Sequence, residues 1–306
     1  LVDPLAQMIA LLMPSASFSK LVTATSPFAV HPPNQGPFYA AVLEGDLELQ
    51  LRGHPPERLG AGDFVLLPAS EGLVVTSRVP PVDRPADEPV EVRPGVFHLG
   101  ASREPDTQMM IGYCAFGSDD ASLLVSLLPG LVVVRGEQRL TTLVALLSQE
   151  ARAERPGRDA VLARLLEVLL IEAFRSTTSR GPAPGLLRGL ADERLALALR
   201  RMHGEPSRAW TVGALAREAG LSRSTFFEQF GREVGLTPME YLLGWRMALA
   251  KDQLRGDRTN VAKVAEGVGY SSQSTFSVAF SRHVGMSPTA YARSQKLISR
   301  LEPYHP

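Results

Sequence analysis

The last hundred residues contain one pattern twice, about fifty positions apart, and this repeat constrains the region's fold more than any other feature. The first copy runs from Thr211 to Pro238 and the second from Asn260 to Pro288. Phe226, Phe230, Gly235, Pro238 and Tyr241 are matched fifty residues later by Phe276, Phe280, Gly285, Pro288 and Tyr291. Ahead of the turn the offset is 49, pairing Ala216 with Ala265 and Gly220 with Gly269, so the second copy has one extra residue just after its turn. Self-similarity at such a period marks one supersecondary unit used more than once.

Each copy parses as helix, tight turn, helix. Val212, Leu215 and Ala216 make the apolar stripe of a short helix, and the small Ala216 lets a second helix cross closely. Gly220 suits a helix end that needs a left-handed residue, and Ser222 suits the N-cap of the next helix. Phe226 and Phe230, spaced i and i+4, share one inward face, so the positions between them point elsewhere. In the second copy Ala265, Gly269, Ser271 or Ser272 as cap, then Phe276 and Phe280 repeat this logic. The pattern predicts two helix-turn-helix units, whose second helix can enter a major groove. A helical repeat used only for packing is the alternative.

The formal net charge of zero argues against nucleic acid until position is considered. Residues 201–306 hold 14 Lys+Arg against 9 Asp+Glu, and residues 1–200 hold 18 against 23. A basic tail behind an acidic remainder is compatible with DNA binding by the tail. The single cysteine, Cys114, excludes an internal disulfide framework and a cysteine cluster for zinc. The apolar run Leu127–Val134 is too short to span a bilayer and contains Pro129 and Gly130. No basic stretch precedes an apolar run at the N-terminus, so a cytoplasmic protein without a membrane partner is expected.

The first 120 residues predict short strands. Phe38–Leu51 has a strand pattern interrupted by a Gly45–Asp46 turn, with Leu47, Leu49 and Leu51 alternating with Glu48 and Gln50. Further strands are expected at Phe64–Leu67, Leu73–Val75, Val96–Leu99 and Gln108–Phe116, with an exposed loop over 78–95. Many short strands between Gly and Pro turns fit a β-barrel or jelly roll. The period then becomes helical: Leu123, Leu124, Leu127 and Leu128 form a short stripe, and two helices follow over Arg139–Arg155 and Ala160–Ser176, separated by Pro156–Gly157. This pair is either a cap packed on the barrel or a dimer surface. Ser176–Gly185, rich in Thr, Ser, Gly and Pro, reads as a linker.

With these motifs in hand, residues 203–295 resemble the DNA-binding domain of the AraC family of bacterial regulators, in which two helix-turn-helix subdomains are joined by a long helix. The stretch Val42–Gly45, followed by Arg58–Pro68, resembles the cupin-type sensor domain found in one branch of that family. The resemblance implies a two-domain α+β chain: a cupin-like effector-binding and dimerisation domain over 1–178, a linker and connecting segment over 179–202, and a DNA-binding domain over 203–306. The connecting helix is expected near Pro238–Leu254, packed through Tyr241, Leu242, Trp245, Met247, Ala248 and Leu249. The implied partners are double-stranded DNA, a small-molecule effector, a second copy of the chain, and RNA polymerase if the protein activates transcription.

The family comparison places groove-facing positions at Arg223, Ser224, Thr225, Phe227 and Glu228 in the first unit, and at Gln273, Ser274, Thr275, Ser277 and Val278 in the second. Gln suits adenine, Arg suits guanine, and Thr or Phe can meet a thymine methyl. Arg232, Arg246 and Arg282 are expected at phosphates, which supply affinity more than sequence choice. Glu228 and Val278 depart from the arginine or polar group that relatives often present there. Glu228 is repulsive to phosphate but can accept from cytosine N4, and Val278 offers only apolar contact. Gly231 weakens its helix by about 1 kcal/mol relative to alanine.

Metal-dependent cupins need several histidines and a carboxylate converging in the barrel. Here Tyr39-Ala-Ala41 and Ser70–Leu73 stand where such ligands would lie, and His31, His54 and His98 show no ligand spacing. No metal, no cofactor and no catalytic residue are expected, so neither is a cupin enzyme. An effector would be lined by Phe38, Tyr39, Val42, Leu66, His98 and Tyr113. A diverged protein-interaction module is the remaining alternative to a regulator.

Overall fold

The computed structural model describes residues 2–32, 36–81, 86–102, 104–116, 128–152, 155–176, 185–255 and 260–301. It divides the chain into two compact units: Leu12–Gly181, and Leu1–Leu11 together with Pro182–Pro306.

The described strands of the Leu12–Gly181 unit are β1 (Pro14–Ala24), β2 (Ala29–Val30), β3 (Phe38–Glu44), β4 (Asp46–Gln50), β5 (Glu57–Gly60), β6 (Phe64–Leu67), β7 (Val74–Thr76), β8 (Val90–Arg93), β9 (Val96–Leu99), β10 (Thr107–Phe116) and β11 (Val132–Val134). They form a large sheet in the order β11-β6-β3-β10-β1-β9-β8 and a small sheet in the order β2-β7-β4-β5. Pairing is antiparallel except between β1 and β9. One apolar core lies between the sheets. Val22, Phe38, Val42, Val65, Leu67 and Ile111 come to it from the large sheet, and Leu47, Leu49, Leu59 and Val75 from the small one. Of the two architectures expected from the short strands, a β-barrel or a jelly roll, the two packed sheets correspond to the jelly roll.

Strand chemistry follows burial. Phe38–Val42 is buried at every position and reads as a continuous apolar run, because both faces of the large sheet are covered. In β4, Leu47 and Leu49 are buried while Asp46, Glu48 and Gln50 are exposed or half-buried. Gly45 is a corner rather than a hairpin turn, since β3 and β4 belong to different sheets. Its φ is +75°, and a Cβ there would stand 2.3 Å from the Asp106 carbonyl oxygen, so only glycine fits. The loop expected over 78–95 contains β8, an exposed edge strand paired with β9.

Two helices, α2 (Gln138–Arg152) and α3 (Arg158–Ser176), pack on the outer face of the large sheet against β1, β3, β10 and β11. Leu162, Leu166, Leu169, Leu170, Ala173 and Phe174 of α3 are buried, each large side chain contributing roughly 1.5–3 kcal/mol. The pair therefore caps the barrel, while Leu146, Val161 and Val168 remain 44%, 43% and 40% exposed. Of the stripe expected at Leu123, Leu124, Leu127 and Leu128, the first three lie outside the described residues, and Leu128 is buried.

The second unit is helical. It holds α4 (Leu186–Ala191), α5 (Glu193–Gly204), α6 (Val212–Glu218), α7 (Arg223–Val234), α8 (Pro238–Arg255), α9 (Val261–Gly267), α10 (Gln273–Val284) and α11 (Pro288–Leu301). The segment expected as a connection over 179–202 is helical from Leu186, because Leu195, Leu199 and Met202 fall on one buried face. The chain's first helix, α1 (Pro4–Leu12), also falls here apart from its last residue. His203 Nδ1 lies 3.0 Å from Gln7 Oε1 and ties α1 to the end of α5.

Candidate nucleic-acid interface

The two repeated units are built alike, atom for atom at several points. In the first, Thr211 caps α6 by accepting from the Ala214 N–H at 3.1 Å. Gly220 takes the turn at φ +63°, and the Leu221 N–H donates to the Ala216 carbonyl. Ser222 then caps α7, its Oγ accepting from the Thr225 N–H at 3.2 Å. In the second, Asn260 caps α9, Gly269 takes the turn at φ +86°, and Ser272 caps α10 by accepting from the Thr275 N–H at 3.2 Å. Ser272, not Ser271, is thus the cap. Gly235 and Gly285 close the second helices at φ +85° and +84°.

Packing fixes which way each second helix faces. Phe226 and Phe230 are fully buried with ring centroids 5.5 Å apart, and Phe230 meets Tyr241 edge-on at 5.8 Å. Phe276, Phe280 and Tyr291 repeat this at 5.5 and 5.7 Å. Because these rings occupy the inward face, the residues between them project to solvent. Arg223, Ser224, Thr225, Phe227 and Glu228 are exposed on α7; Gln273, Ser274, Thr275 and Val278 are exposed on α10, and Ser277 is half-buried. An open recess borders each face, one lined by Val212, Arg223, Ser224, Phe227 and Glu228, the other by Leu243, Thr275, Val278 and Arg282 among others.

The hydroxyls at both helix starts are engaged with one another. Ser222 Oγ lies 3.1 Å from Ser224 Oγ and 2.8 Å from Thr225 Oγ1. Ser272 stands at the same distances from Ser274 and Thr275. Sequence reasoning named these residues but missed the shared cluster, which requires the cap geometry to be known.

The three arginines expected at phosphates differ. Arg282 is exposed on α10. Arg232 is exposed, yet its Nε donates to Glu233 Oε1 at 2.9 Å. That bond, with a second from Arg188, holds the Glu233 carboxyl below the usual carboxylate range. Arg246 is half-buried, and its guanidinium donates from Nε to the Pro206 carbonyl and from Nη2 to the Arg208 carbonyl, both at 2.8 Å. Gly269 admits that guanidinium: a Cβ at 269 would lie 2.8 Å from Arg246 Nη2. Arg246 is therefore a tie between the long helix, the α5–α6 connection and the second turn. Its spacing on α8 could not reveal carbonyl partners forty residues upstream.

The long helix α8 buries Tyr241, Leu242, Trp245, Met247 and Ala248, and Leu249 is half-buried. Buried His203 stacks on Trp245 at 3.9 Å, and its Nε2 lies 2.7 Å from the Tyr241 hydroxyl. Burial pushes the His203 pKa down to about 3. The neutral ring satisfies both partners when Nδ1–H donates to Gln7 Oε1 and Nε2 accepts from Tyr241. A lone histidine in a helical stretch gave no sequence signal for this joint.

The six residues expected to line an effector pocket do not converge. Phe38, Val42 and Tyr113 belong to the core between the sheets, with Phe38 and Tyr113 rings 5.4 Å apart. Tyr39 and Leu66, paired across β3 and β6, stand outside that cluster on the helix-covered face. The cause is the two-residue period of a strand, which sends Phe38 and Tyr39 to opposite sides. Gly112 makes room for the Tyr39 ring, since a Cβ there would lie 2.0 Å from Tyr39 Cζ. His98 borders a surface recess with Thr23, Glu91 and Arg93, its Nδ1 2.9 Å from Thr23 Oγ1 and its Nε2 2.7 Å from the Ser102 carbonyl. Among the described residues no group of three or more His, Cys, Asp or Glu is placed to hold a metal ion, and no helix is long and apolar enough to cross a membrane.

Known proteins share both halves of this arrangement. A cupin model matches residues 3–179 and a helix-turn-helix domain model matches residues 215–294. An AraC-like transcription regulator of Streptomyces lividans is 34% identical over 283 residues, covering 89% of this chain and 92% of its own. A regulator of the same description from Streptomyces antibioticus is 33% identical over 282 residues, with the same shares covered. Among solved structures, the DNA-binding domain of AdpA in complex with a target DNA is 27% identical over 35% of this chain and 96% of that one, with a TM-score of 0.33. The repeat, its capped turns and the jelly roll ahead of it thus have one explanation: the chain belongs to the AraC family of DNA-binding transcription regulators, with a cupin-type N-terminal domain.

Proposed function

We propose that the protein recognises a bipartite sequence on double-stranded DNA, with α7 and α10 as the two reading helices. The observation that carries this is the twofold construction of one capped helix-turn-helix, each with its second helix turned outward by a buried Phe pair. Arg223, Ser224, Thr225, Phe227 and Glu228 then address base edges in one major groove, and Gln273, Ser274, Thr275, Ser277 and Val278 in the next, roughly 34 Å along the duplex. Arg232 and Arg282 lie at phosphates and supply affinity. Arg246 holds the scaffold, since its donors are engaged by backbone carbonyls. The protein acts by binding and not by turnover.

The cupin-type unit supplies control. Leu146, Val161 and Val168, exposed on the helical cap, favour a second copy of the chain as partner of that surface. A small effector that prefers one dimer geometry would shift DNA affinity by linkage, and RNA polymerase is the further partner if the outcome is activation. The test is selection from a pool of randomised duplexes with the full chain at moderate salt. Two enriched blocks about one helical turn apart, weakened by Gln273→Ala or Arg223→Ala, are expected. A pool that stays random at low salt, with and without a metabolite extract, refutes the reading. Val168→Glu is expected to shift the sedimentation profile toward monomer.

A further inference from the structure

We infer that the second helix-turn-helix unit selects its half-site through apolar contact of Val278, with Thr275 beside it, against the 5-methyl group of thymine. This rests on α10 being a DNA-reading helix, as proposed above.

Val278 is 71% exposed, more than any other large apolar side chain among the described residues of the helical unit. It stands mid-helix, opposite the face fixed by Phe276 and Phe280. Valine there serves neither solubility nor helix propensity, in which it ranks below arginine and alanine. Its neighbours commit it to one occupant. The α10 sequence Gln273–Val284 contains no Asp or Glu, and Arg282 lies one turn beyond Val278, so the surface suits a polyanion. The Ser274 and Thr275 hydroxyls are both within hydrogen-bonding distance of Ser272 Oγ, at 3.1 and 2.8 Å. With its hydroxyl engaged at the cap, Thr275 has its methyl left to offer. Leu243 of α8, 39% exposed, and Ala279 line the same recess and extend the apolar surface.

Flanked by Gln273, Ser274 and Arg282 on the same exposed helix face, Val278 offers an apolar contact that matches one methyl in the major groove. Among base-pair edges there, only thymine presents such a group. The first unit differs at the equivalent position. Glu228 offers a carboxylate that can accept from cytosine N4, so the two half-sites differ in composition and give the protein one orientation on its site.

The test takes the full chain and its selected duplex, replaces each thymine singly by deoxyuridine, and measures Kd by fluorescence anisotropy. Deoxyuridine keeps the base-pairing edge and removes only the methyl. Burying one such group is worth about a four-fold change in affinity. The expected result is a loss of about that size at one or two thymines of one block. Val278→Ala is expected to narrow the difference between the thymine and deoxyuridine duplexes at those positions to the share left by Thr275, while keeping its helix content by circular dichroism. A flat deoxyuridine scan on a tightly bound duplex overturns the inference and leaves the DNA reading intact. Sensitivity that persists undiminished in Val278→Ala, so that the two losses multiply, overturns it as well. If no duplex is enriched at all, the inference and the proposed reading fall together.

Discussion

The contrast between Gly220 and Gly269 allows a cost to be worked out in advance. Both sit at equivalent points of the repeat with left-handed backbones, φ +63° and +86°. Alanine at either position meets the left-handed penalty of about 1–2 kcal/mol, partly offset by the lower entropy of its unfolded chain. At Gly220 nothing lies within 4 Å of the added methyl. At Gly269 the methyl stands 2.8 Å from the Ser207 carbonyl oxygen and 2.8 Å from Arg246 Nη2. The arginine can swing away by giving up its carbonyl bonds, but the backbone oxygen cannot. Overpacking of this kind adds about 1–3 kcal/mol. Gly269→Ala should therefore be less stable than Gly220→Ala by that increment, the conformational part cancelling between them. Both tryptophans, Trp210 and Trp245, are buried in the helical unit, so urea unfolding followed by tryptophan fluorescence reports on that unit alone. With a urea dependence of ~2 kcal/mol/M, the midpoint of Gly269→Ala should fall ~0.5–1.5 M below that of Gly220→Ala. Equal midpoints would refute the claim that Gly269 is required by close approach as well as by its φ.

Ser222→Ala and Ser272→Ala should each cost about 1 kcal/mol and speed amide exchange at Thr225 and Thr275, because each removes the oxygen that caps its helix; unequal losses beyond that scale would show the two caps are not equivalent. His203 has its pKa lowered to about 3, below its unfolded value near 6.5, so the unfolded state binds the extra proton first as pH falls. Stability of the helical unit should accordingly be flat above pH 6.5 and decline by up to about 1.4 kcal/mol per pH unit below it, and His203→Gln should remove that slope in urea midpoints measured from pH 7 to 4.5. Gly112→Ala places a methyl inside the Tyr39 ring position and should destabilise the cupin-type unit by more than 1–3 kcal/mol, as read by near-ultraviolet circular dichroism, with partial rescue by Tyr39→Val.

Local signals determined much of this protein from sequence alone. The Phe, Gly, Pro and Tyr repeat predicted two helix-turn-helix units because helical facing depends on spacing within a few residues, and the caps and left-handed glycines are equally local. Alternation in Leu47–Leu51 and the Gly/Pro turns indicated a β-barrel or jelly roll for the same reason. Long-range approach was not legible. The placement of α1 with the helical unit depends on residues some two hundred positions apart, Gln7 and His203. The carbonyl ties of Arg246 depend on a connection forty residues upstream, and the corner at Gly45 depends on Asp106. The separation of Tyr39 from Phe38 followed from strand period and could have been drawn from sequence; that Tyr39 is nonetheless buried required α2 and α3 to cover the outer face. Sequence spacing sets which way a side chain points, whereas what it meets there is decided by segments brought together only when the chain closes its core.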